Sequence, residues 1–89
     1  MIIETPKKLL VELRKNPTSY ILFVLPNSDL GLRAEALLKG FVFYYVAHLI
    51  EPMTTQFRIT HSPTLREYHY TEPINSYRGL DEIRLLLHK

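Results

Sequence analysis

Two apolar blocks in the first half of the chain restrict its fold more than any other feature. Tyr20 to Leu25 is short, unbroken by a polar residue, and rich in aromatic and branched side chains. That is the pattern of a strand buried on both faces of a sheet. Pro26-Asn27-Ser28-Asp29 then interrupts it and supplies three side chains able to cap a helix. From Leu30 the apolar period becomes helical: Leu30, Ala34, Leu37 and Leu38 fall on one stripe, and Gly40 provides a stop. Phe41 to Ala47 is the second block, again strand-like in its aromatic and β-branched content. A strand, a helix and a second strand make a βαβ unit, whose crossover is expected to be right-handed.

The flanking segments extend this unit into a complete domain. Thr5 is placed to cap a first helix with Pro6 at its first position, and Leu9, Leu10 and Leu13 share its buried face until Asn16-Pro17 stops it. A short strand over Met1 to Ile3 would precede it. After Glu51-Pro52, Met53 to Arg58 has room for one or two helical turns. Leu65 to Tyr70 and Ile74 to Arg78 then flank Thr71-Glu72-Pro73, a three-residue connection that suits an antiparallel hairpin. Past Gly79, Asp81 is expected to cap a last helix, with Leu80 and Leu85 at its staple positions and Ile83, Leu86 and Leu87 on or beside its buried stripe. With 89 residues, 46% of them hydrophobic, residues 1–89 are expected to form one α/β domain: a central mixed sheet, helices on both faces, and a C-terminal hairpin plus helix.

The stretch Gln56-Phe57-Arg58-Ile59-Thr60-His61-Ser62-Pro63-Thr64-Leu65, set after a βαβ unit and before a hairpin, a glycine and a helix, resembles the loop that faces the active site in the thioredoxin and glutaredoxin superfamily. The resemblance implies a thioredoxin-like fold with Pro63 in the cis form, and with Ser62 offering its backbone to an extended substrate. Ala34, Leu37 and Leu38 are similar to the tail that follows the Cys-x-x-Cys motif of glutaredoxins. Counting back from them places Ser28 at the nucleophile position and Gly31 at the resolving position. The chain contains no cysteine. Dithiol oxidoreductase activity is therefore excluded, and disulfides, thiolate metal sites and thiol nucleophiles go with it.

Ser28 could replace the thiol only with a base beside it, and the fold analogy offers His61 alone. A helix cap at Ser28 or Asp29 is the better reading. The resemblance also implies that part of a glutathione groove could persist at Ser62-Pro63 and at Gly79-Leu80-Asp81. The plainer reading is that Gly79 supplies a positive φ and Asp81 a cap.

The four histidines, His48, His61, His69 and His88, lack metal-ligand spacing, and no glycine loop is built to cradle phosphate. No metal or cofactor is expected. Tyr68, His69, Tyr70 and Tyr77 decorate the hairpin. Tyr68, Tyr70 and Tyr77 could form a protein interface, although strands are rich in tyrosine on their own account.

Lys7, Lys8, Arg14 and Lys15 cluster on the first helix, but a net charge of +2 is mild, and the cluster reads as solvated surface rather than a nucleic-acid site. No apolar run reaches the ~20 residues of a membrane span, and no basic and apolar leader opens the sequence. A cytoplasmic location follows as the expectation. The function expected is that of a redox-inactive binding or accessory module. Its partner would be another protein, or a second copy through the hairpin edge; a glutathione-binding remnant is the alternative.

Overall fold

A computed structural model describes residues 2–41 and 43–88. In chain order it contains β1 (Ile2–Ile3), α1 (Pro6–Lys15), β2 (Thr18–Val24), α2 (Asp29–Leu38), β3 (Tyr44–His48), α3 (Met53–Phe57), β4 (Thr64–His69), β5 (Glu72–Arg78) and α4 (Gly79–Leu87). The five strands form one sheet in the order β1-β3-β2-β4-β5. β3 runs parallel to both β1 and β2, whereas β4 is antiparallel to β2 and to β5.

Because side chains alternate along a strand, β2 divides its residues between two cores. Ile21 and Phe23 pack with Leu9, Leu13, Met53 and Tyr68, under α1 and α3. Leu22 and Val24 pack with Ala34, Leu38, Leu65 and Ile83, under α2 and α4. The continuous apolar run of β2 is thus that of a central strand covered on both faces.

The first helix starts as its sequence dictates. The Thr5 side chain accepts the Lys8 N–H at 3.2 Å, Pro6 follows, and Asn16 closes the helix by donating its Nδ2 to the Glu12 carbonyl at 3.2 Å. Elsewhere the structure moves several expected boundaries. β3 begins at Tyr44 rather than Phe41, because the turn after α2 runs on through Gly40, at φ +84, and Phe41, whose N–H bonds the Leu38 carbonyl. Pairing with β2 starts only where Tyr44 meets Tyr20, so Phe41 and Phe43 stay exposed. Met1 and Val42, which the expected strands included, lie outside the described residues.

On α2 the buried stripe is Gly31, Ala34 and Leu38, and Leu30 points outward. A Cβ on Gly31 would stand 3.1 Å from the Val24 side chain, so the helix sits closer to the sheet than a leucine stripe could allow. The hairpin turn is also tighter than expected. His69 pairs with Glu72, leaving only Tyr70 and Thr71 between the strands, with Tyr70 at φ 53. Pro73 lies inside β5, where an edge strand tolerates its missing N–H, and the pairing slips between Glu67 and Tyr68.

Asp81 does not cap α4. The helix begins at Gly79, directly after β5, and the Glu82 carboxylate reaches back to the Arg78 N–H at 3.2 Å. Leu85 is exposed, so it forms no staple. Among the described residues no helix is long and apolar enough to cross a membrane.

Candidate functional site

The segments singled out by sequence meet at the end of the sheet where β2 gives way to α2. Ser28 is the N-cap of α2, its Oγ accepting the Gly31 N–H at 3.4 Å, and Asp29 lies exposed in the first turn. The Ser62–Pro63 peptide is cis. Ser62 Oγ accepts the Leu25 N–H at 3.0 Å, which ties that loop to the exit of β2. Next to it the Pro63 carbonyl accepts the Gly79 N–H at 2.7 Å, and Gly79 takes φ +77. The loop at residues 61–63 is therefore bonded both to the segment that leads into α2 and to the start of α4.

Not every candidate joins this arrangement. His61 Nδ1 lies 2.9 Å from Thr60 Oγ1, and no hydrogen bond connects His61 to Ser28 among the described residues. Ser28 thus has the geometry of a cap and not of a base-activated nucleophile. Asp81 points into solvent and pairs with Arg84 at 3.6 Å.

The tyrosines do not form one surface, which corrects the expected interface. Tyr68 is buried in the α1/α3 core, only 1% exposed, because it faces the same side of the sheet as Ile21 and Phe23. Tyr77 packs on the opposite, α2/α4 face. Tyr70 remains at the hairpin tip, where its N–H bonds the Pro17 carbonyl at 3.1 Å and its ring stands edge-on to His69.

What sequence reading missed is the apolar surroundings. Leu25, Leu30 and Leu32 are 51%, 45% and 64% exposed, with Ile2 at 50% nearby. Leu32 lies off the apolar stripe of α2, and that was the available signal. A cavity of about 430 Å³ opens here, lined by Ile2, Leu25, Ser28, Leu32, Glu35 and His48 among others. His48 Nδ1 lies 3.5 Å from the Glu4 carboxylate. Burial first, and then the neighbouring Glu35 carboxylate, raise the Tyr44 phenol above its ordinary value. It therefore stays protonated and faces Glu35 Oε1 at 3.5 Å. Among the described residues no three His, Cys, Asp or Glu side chains converge as a metal site.

Solved structures with this architecture are similar over almost the whole chain. Thioredoxin from Malassezia sympodialis matches 98% of this chain and 84% of its own at a TM-score of 0.79, with 13% identity. The fold is that of thioredoxin. A mutant thioredoxin from Halobacterium salinarum matches 97% of this chain and 82% of its own, with a TM-score of 0.79 and 12% identity. A designed protein matches 98% and 92%, with a TM-score of 0.76 and 24% identity. No family model and no curated protein matches the sequence. On this thioredoxin fold the chain carries no cysteine, so it has no dithiol of its own to oxidise or reduce.

Proposed function

We propose that this chain is a redox-inactive, non-enzymatic thioredoxin-fold module that holds another protein at the end of the sheet where α2 begins. The observation that carries the reading is the exposure of Ile2, Leu25 and Leu32 along one cavity beside a helix start where the Ser28 and Ser62 hydroxyls are already bonded to backbone N–H groups. Exposed apolar side chains gathered at one place mark a surface that gains by being covered. The partner would set an apolar side chain among the leucines and run its backbone past Ser62, beside Pro63. Glutathione fits less well. Asp81 is turned to Arg84, and the chain has no thiol to exchange with one bound there.

The test recovers partners from a native extract and repeats the binding with the purified partner. Leu25→Glu and Leu32→Glu are expected to lose it, while Tyr70→Ala retains it. Binding indifferent to both leucine changes would refute the surface. An NMR titration with reduced glutathione is expected to leave the resonances of Ser28, Ser62 and Asp81 unmoved. A dimer in light scattering that Leu32→Glu dissociates would make a second copy the partner.

A further inference from the structure

A second site stands apart from the leucine-rimmed end. Between the end of α3 and the outer strand β5 lies a groove of about 340 Å³, and three arginines, Arg58, Arg66 and Arg78, line it without a single carboxylate. None of these guanidinium groups has an acidic partner among the described residues. Glu82 is engaged at the Arg78 backbone N–H and does not line the groove.

Arg66 is the central group. It is half-buried, and its guanidinium carbon lies 5.6 Å from the centre of the Phe23 ring and 6.0 Å from that of Tyr68. Nη1 donates to the Phe57 carbonyl at 2.9 Å and to the Tyr68 hydroxyl at 3.2 Å. Both Nη1 protons are thereby used, and the group is fixed in position. The Nε–Nη2 edge remains, two parallel N–H donors in the fork that fits two oxygens of one oxyanion. Burying a cation without a counter-charge is unfavourable, so this fork gains from an anion that reaches it. Arg58, held at φ 54 where α3 ends, and Arg78, at the end of β5, supply two further charges.

We propose that this groove binds a small organic phosphate monoester, its phosphate on the Arg66 fork between Arg58 and Arg78. Three cations suit a dianion better than a single carboxylate. Phe57, Pro73 and Ile74 add an apolar wall, which suits an organic group attached to the phosphate.

The full chain is titrated in NMR with inorganic phosphate, adenosine monophosphate and acetate at constant ionic strength. Saturable shifts confined to residues 57, 58, 66 and 73–78 are expected, with either phosphate binding at least about tenfold tighter than acetate. Adenosine monophosphate binding tighter than inorganic phosphate identifies the ester as the ligand; the reverse order restricts the site to free phosphate and overturns the ester. Arg66→Lys, which keeps the charge and loses the fork, is expected to weaken binding about tenfold. Arg58→Gln and Arg78→Gln change exposed positions and each weaken it by less, which keeps the test decisive if the Arg66 variant folds poorly. Acetate binding as tightly as phosphate, shifts centred on Lys7 and Lys8, or affinity unchanged in the Arg58 and Arg78 variants would overturn the proposal.

Discussion

The end of the sheet at α2 and the groove beside β5 are built on opposite terms. At the α2 end Ser28 is bonded to the Gly31 N–H, Ser62 to the Leu25 N–H and the Pro63 carbonyl to the Gly79 N–H, and beside the exposed Asp29 stand the exposed side chains of Ile2, Leu25 and Leu32. In the β5 groove buried aromatic rings support Arg66, and beside the exposed Ile74 stand three arginines with no carboxylate lining. The first surface hangs on local caps and loop bonds. The second stands on the α1/α3 core, since the ring beneath Arg66 belongs to Phe23. A fold that has no thiol thus presents two chemically distinct surfaces, and each should respond to a different class of substitution.

Phe23→Ala should separate them most strongly. It empties a fully buried site, a change that typically costs about 3–5 kcal/mol, read by urea unfolding. It should also loosen the Arg66 fork, so phosphate affinity is expected to fall in whatever protein remains folded. An unchanged affinity would sever the groove from the core.

Tyr68→Phe removes only the hydroxyl that receives Arg66 and should cost about 1 kcal/mol. It also carries a pH signature. Burial raises the Tyr68 phenol, and Arg66 opposes that rise without cancelling it. With the folded value above the unfolded one, this contribution is intact below about pH 10 and is lost as the pH climbs toward the folded value. Tyr20 and Tyr44 are raised in the same direction, so above about pH 10 the variant should decline less steeply rather than not at all. Parallel declines in both proteins would remove Tyr68 as a source.

At the other surface, Ser28→Ala should cost about 1 kcal/mol through the lost cap, and Ser28→Asp should restore most of it. Partner binding is expected to survive both, whereas its loss in the alanine variant alone would give Ser28 a role beyond capping. The smallest effect on stability belongs to Leu32→Glu, within about 0.5 kcal/mol at an exposed position, although this is the change expected to abolish binding. A large loss of stability there would mean that Leu32 supports the fold rather than a partner.

Much of the architecture was legible because its signals are local. The unbroken run at β2, the Thr5-Pro6 start of α1 and the Ser28 cap each follow from neighbours in sequence. Positions that depend on a distant partner were less so. Leu30 fits the α2 stripe by its spacing, but the close approach of Gly31 to Val24 turns it out to solvent. Tyr68 has the character of an interface residue until strand pairing sets it on the face of Phe23. The three arginines of the β5 groove lie at positions 58, 66 and 78, with no spacing that announces a site.

The sequence by itself determined the order of elements, the presence of a twice-covered central strand, and the absence of thiol chemistry, because periodicity, capping and composition are properties of neighbouring residues or of the whole chain. Only the tertiary structure decided which leucines remain uncovered and which arginines share a groove. Those outcomes depend on strand register and on how closely each helix approaches the sheet, and long-range packing sets both.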